Sequence, residues 1–146
     1  MGRKHTERQI VVAGSPQECF DALVDFETYP AWQSAVKACT VQARGPDGRG
    51  RRVRFDIDAK VEAISYTLAY TYEPPHLMSW ELVEGDVKDV AGEFVLEDRG
   101  DGTTLATCAL HIDPGPWMPA KPALALNEQV LGGFVADLKA RVESVG

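Results

Sequence analysis

Apolar residues recur along this chain with two different periods, and the change from one to the other gives the order of elements. Thr6 to Ala13 reads as a first strand, with Ile10 and Val12 on one face. In "SPQECFDALVDF", Phe20, Leu23 and Val24 fall at helical spacing. Ser15 suits the N-cap, Pro16 the first helical position, and Glu18 completes a capping box. Pro30 stops or resets that helix, and "PAWQS" predicts a second, short one.

From Val36 onward the period becomes two. Val53, Phe55, Ile57, Ala59 and Val61 alternate with Arg54, Asp56, Asp58, Lys60 and Glu62. Tyr66, Leu68, Tyr70 and Tyr72 alternate with Thr67, Ala69 and Thr71, and Met78, Trp80 and Leu82 with Ser79 and Glu81. "GPDG", "EPP", "EGD" and "RGDG" punctuate the region into strands with one wet and one buried face. After "DPGPWMPAKP" the period returns to helical: Leu131, Phe134, Val135, Leu138, Val142 and Val145 form one long apolar stripe. The expectation is an α+β domain spanning residues 1–146, in which a curved antiparallel sheet of six to seven strands wraps a long C-terminal helix, with two short helices after the first strand.

Composition narrows the function. The 146 residues carry a net charge of −7, the wrong sign for a nucleic-acid partner. No apolar run reaches the roughly 20 residues of a membrane span, and the apolar stretch before Gly14 is too short for a secretory signal. Cys19, Cys39 and Cys108 are widely spaced, without a C-x-x-C pair, so neither disulfides nor zinc are expected. No two of His5, His76 and His111 have metal-ligand spacing. The chain reads as cytoplasmic, free of metal and cofactor, and monomeric or homodimeric. Arg44, Arg49, Arg51, Arg52 and Arg54 gather at the first hairpin turn. They form a solvated hairpin or, alternatively, a transient docking site for an acidic carrier protein or a membrane surface.

Four stretches, "SPQECFDALVDFETYPAW", "YTLAYTYEPPHLMSWELVEG", "AGEFVLEDRGDGTTLATCALHID" and "GGFVADLKARVE", together resemble the START-like (Bet v 1-like, SRPBCC) superfamily, in its polyketide cyclase/dehydrase and coenzyme-Q-binding branch. "D-F-x-x-Y-P-x-W" followed by "L-K-x-R-V-E" is the most specific part. The resemblance implies a helix-grip fold whose sheet and long helix leave an internal cavity for a lipid, isoprenoid or polyketide. No acid–base constellation of the family's enzymes maps onto these positions. Binding for transport, storage or sensing is therefore the leading expectation. A polyketide aromatase/cyclase is the alternative, and a partner-binding module a third class.

The candidate cavity wall is Trp32, Phe55, Ile57, Tyr66, Leu68, Tyr70, Trp80, Phe94, Cys108 and Leu110, with Asn127, Leu131 and Phe134 from the long helix. Trp117 and Met118 are the candidate mouth, in a proline-rich cover loop. Core packing explains aromatics on strands equally well, but buried phenols need hydrogen-bond partners, which a cavity would supply. Asn127 is either a ligand-orienting group or a solvated helix-start residue. Gly132 and Gly133, within the long helix, signal either close approach of the sheet or room for a ligand. Catalytic residues are not assignable from the sequence.

Overall fold

Ser15 sets where the first helix begins. Its hydroxyl accepts the Glu18 N–H (3.1 Å) while the Glu18 carboxylate accepts the Ser15 N–H (3.0 Å), closing the capping box and starting α1 (Pro16–Val24). A computed structural model describes residues 6–33, 35–58 and 63–145. Strand β1 (Thr6–Val12) precedes α1; a single 3₁₀ turn (Phe26–Thr28) and α2 (Tyr29–Trp32) follow it. Pro30 sits in the first turn of α2, where its missing N–H has no partner to lose.

Six strands come next: β2 (Val36–Arg44), β3 (Gly50–Asp58), β4 (Ala63–Glu73), β5 (Leu77–Gly85), β6 (Asp89–Asp98) and β7 (Thr104–Asp113). They join β1 in one sheet of order β1-β7-β6-β5-β4-β3-β2, antiparallel throughout. The α+β helix-grip expectation therefore holds, with seven strands. The alternation expected at Ala59, Lys60, Val61 and Glu62 lies outside the described residues, as does His5.

The long helix α3 (Ala120–Val145) starts earlier than the prolines suggest. Pro122 lies in its first turn, among the N–H groups that no helix can satisfy internally. Two sets of polar contacts fasten it to one edge of the sheet. Toward its C-terminal end, the Lys139 ammonium donates to the Val11 carbonyl (3.0 Å) and Glu143 accepts the Ala13 N–H (2.9 Å). Toward its N-terminal end, Asn127 presents its amide to β7, accepting from Ile112 N–H (2.7 Å) and donating to Ile112 C=O (2.8 Å). The described pairing of β1 with β7 ends at Thr6 opposite Leu110. Two residues further along β7, Asn127 engages both backbone polar groups of Ile112.

Between these attachments α3 packs mainly on β1 and β7 and meets α1. Val12, Phe20, Leu23, Met78, Leu96, Leu138 and Val142 fill that end of the molecule. The arginines of the β2–β3 hairpin are largely engaged close to home. Arg44 pairs with Glu27 (2.8 Å), Arg49 and Arg51 share Asp47 (3.2 and 3.0 Å), and Arg54 reaches Asp56 (3.4 Å).

Replacing Asn127 by Ala strands two buried backbone groups at the end of β7. A stability loss of about 2 kcal/mol is expected, read by urea denaturation; a loss below about 0.5 kcal/mol would mean that the clamp is dispensable.

Candidate functional site

A partly enclosed cavity of about 350 Å³ lies where α3 parts from the sheet, within the size range of small-molecule sites. Strands β3, β4 and β5 supply Phe55, Ile57, Tyr66, Leu68, Tyr70 and Trp80; β6 and β7 add Val90, Leu110 and Ile112. The far side is Tyr29, Gln33, Ala35 and Val36, at and just after α2, and the roof is Leu126, Gln129, Val130, Gly133, Phe134 and Asp137 of α3.

Eight of the fifteen candidates thus meet around one space: Phe55, Ile57, Tyr66, Leu68, Tyr70, Trp80, Leu110 and Phe134. The aromatics among them form a continuous set. Phe134 lies 6.1 Å from Trp80 and 6.2 Å from Tyr29, and Tyr70 lies 6.0 Å from Trp80 between ring centroids. Trp80 owes its position to a glycine directly opposite on β6. A Cβ at Gly92 would stand 2.6 Å from the indole, so only glycine leaves the ring its place.

The other seven are elsewhere, each for a physical reason. Trp32 does not line the cavity: its half-buried ring meets Tyr29 edge-on (5.1 Å, 69°) and its indole N–H donates to Thr28 Oγ1 (3.1 Å). Trp32 braces Tyr29, and Tyr29 is the residue of "YPAW" that faces the space. Phe94 and Cys108 face inward as expected, but they are register partners directly beneath the packed helix and are fully buried. Leu131 is likewise buried in the packing stripe of α3. Asn127 has its amide committed to β7 and to the Ala123 carbonyl (2.9 Å), which leaves it no free group for a ligand. Trp117 is 45% exposed and Met118 half-buried, and neither reaches the cavity lining.

The helix therefore carries two stripes side by side. Asn127, Leu131, Val135, Leu138 and Val142 pack against the sheet; Leu126, Val130, Gly133 and Asp137 face the cavity. The glycine pair divides between them. A Cβ at Gly132 would meet Arg8 of β1 at an ordinary 3.6 Å, whereas Gly133 is part of the roof.

Electrostatically the wall is neutral over most of its area. Burial raises the Tyr66 and Tyr70 hydroxyls far above the ordinary phenol range, so both stay protonated and act as donors. Both stand on the cavity wall, whereas the Tyr29 hydroxyl donates to the Leu23 carbonyl (2.5 Å). Burial also lifts the thiols, Cys19 to about 11 and Cys39 to about 12, which removes thiolate character. His111 points away from the cavity, 3.8 Å from Asp89. Among the described residues no three His, Cys, Asp or Glu side chains come together to hold a metal, and no helix is long and apolar enough to cross a membrane.

Gly133→Ala tests the two-stripe geometry. Alanine in a helix interior should stabilise the protein by up to about 1 kcal/mol, while its methyl group intrudes on the cavity and weakens binding of an apolar probe. Unchanged probe affinity would place the ligand away from this roof.

Comparison with known proteins agrees with this architecture. Residues 3–143 match the family described as polyketide cyclase / dehydrase and lipid transport. Among solved structures, a START superfamily protein from Mycobacterium smegmatis superposes with a TM-score of 0.89 at 24% identity, covering 97% of this chain and 99% of that one. The Zhui aromatase/cyclase from a Streptomyces species gives 0.82 at 16% identity, covering 96% and 93%. A protein from Thermus thermophilus gives 0.83 at 16% identity, covering 98% and 99%. No functionally curated protein matches the sequence. With nearly its whole length matched by the family model and the same fold in these structures, the chain belongs to the polyketide cyclase / dehydrase and lipid transport family.

Proposed function

We propose that the protein binds a hydrophobic small molecule in the cavity between β3–β5 and α3, for transport, storage or sensing. The observation that carries this reading is the cavity of about 350 Å³ with aromatic and aliphatic walls. Removing apolar ligand surface from water at about 25 cal/mol per Å² supplies the affinity, and a few polar groups fix orientation.

The state of those polar groups supports binding over proton-transfer chemistry. A general acid or base works best with a pKa near the operating pH. The Tyr66 and Tyr70 phenols are displaced away from neutrality by burial, and Cys39 beside them shares that shift. The family description keeps cyclisation and dehydration as the second reading.

Tyr66→Phe and Tyr70→Phe separate the two. A binding protein should lose about 1 kcal/mol of ligand affinity per hydrogen bond removed. An enzyme using either phenol as its acid should lose roughly 10²–10⁴-fold in turnover with binding nearly intact. Turnover of a polyketide-like substrate, abolished by one of these changes, would overturn the binding reading.

Trp32→Ala now carries a different expectation from that of a wall residue. Loss of a half-buried brace should cost about 1–3 kcal/mol, less than the roughly 3–5 kcal/mol of a fully buried Trp, and probe affinity should fall only as Tyr29 loosens. Near-normal stability with abolished probe binding would put Trp32 in the site after all.

A further inference from the structure

Gln33 is the residue that the packing of the cavity leaves unexplained. Its backbone is fixed at the end of α2, where its N–H donates to the Tyr29 carbonyl (2.7 Å). Its side chain lies on the cavity wall and the residue is only 6% exposed. Among the described residues, its Nε2 is the only buried side-chain nitrogen or oxygen with no hydrogen-bond partner. Such groups are rare, because an amide N–H withdrawn from water without an acceptor destabilises the fold. The terminal amide torsion is soft, so an N–H can be presented to the cavity without moving the backbone.

The surroundings define what would satisfy it. Tyr66 and Tyr70, on the same cavity, add two phenol hydroxyls that burial keeps protonated. Among the described residues no Lys, Arg or His lines the space, and the carboxyl group that does is that of Asp137. A ligand carboxylate would enter a low-dielectric site with no cation among the described lining residues to receive it. A neutral oxygen acceptor meets donors and leaves no charge behind.

We propose that Gln33 is a specificity-determining residue that donates to the carbonyl oxygen of a neutral, mainly hydrocarbon ligand, so that the cavity takes ketone- or quinone-like molecules and rejects carboxylates. This rests on the binding reading above. It adds which end of the ligand lies toward α2.

The test uses acetylnaphthalene, ethylnaphthalene and naphthoate, substituted at the same ring carbon, titrated calorimetrically into the intact protein and into Gln33→Met. Methionine keeps length and apolar contact but removes the N–H; Gln33→Leu is the second variant should the first not fold. The ketone-to-hydrocarbon affinity ratio should fall about tenfold in the variant, the scale of a hydrogen bond to an otherwise unpaired buried group. Comparing ratios cancels losses common to both ligands. The variant's own urea midpoint should be unchanged or higher, since an unpaired buried donor has been removed. Naphthoate should bind the wild type at least tenfold more weakly than the ketone. An unchanged ratio, with both neutral probes still bound, overturns the role of Gln33 and leaves the cavity reading standing. Naphthoate bound as tightly as the ketone overturns the selection for neutral ligands. Failure of all three probes to bind the wild type defeats the cavity reading and this inference with it.

Discussion

One helix has to cover seven strands, and it is too narrow to do so. Neighbouring strands lie roughly 4.8 Å apart, so seven span roughly 30 Å before curvature, against a helix about 10–12 Å across with its side chains. Something must remain uncovered, and where α3 is fastened decides what. Lys139, Glu143 and Asn127 tie it to β1 and β7. The strands on the other side meet it only through side chains such as Trp80 against Phe134, and the cavity is the space this leaves. Aromatic side chains on β3, β4 and β5 narrow that space; aliphatic ones on the same strands would leave a larger void.

This constraint also explains why the two ends of the interior differ. Under the fastened half, Phe94, Cys108, Leu131 and Leu138 pack to full burial. Under the free half, residues of the same inward sheet face, such as Leu68 and Tyr70, meet open space instead. The same distinction separates Tyr29 from Trp32 within a single short helix. Tyr29 turns toward the hollow, and Trp32 stands behind it with its N–H held by Thr28.

Much of the fold is legible in the sequence because period-two alternation reports which face a residue takes, and the Ser15–Glu18 box reports where a helix starts. Alternation does not report depth, however. Phe94 and Cys108 share their face with true wall residues, and only the position of α3 above them shows that they are packed. The apolar pattern of α3 likewise merges two neighbouring stripes into one, so Leu131 reads as wall while Leu126 and Val130 escape notice. Asn127 looks like a ligand group because a polar residue on an apolar stripe demands a partner. Its partner is a strand edge, a tertiary fact with no local signature. Gln33 lies in a turn, where no periodicity exists to mark it. A polar residue directly after an aromatic cluster is the available signal.

Two stripes on one helix have a consequence for how such a protein changes over time. Residues that hold the helix in place and residues that shape the cavity are adjacent in sequence yet separate in what they touch. A substitution at Leu126, Val130 or Gly133 alters the volume and contour offered to a guest without loosening Asn127, Leu131 or Leu138. New ligand preferences are therefore reachable by single steps that leave the scaffold foldable. The seam between helix and sheet works as an adjustable mould set on a rigid hinge-plate.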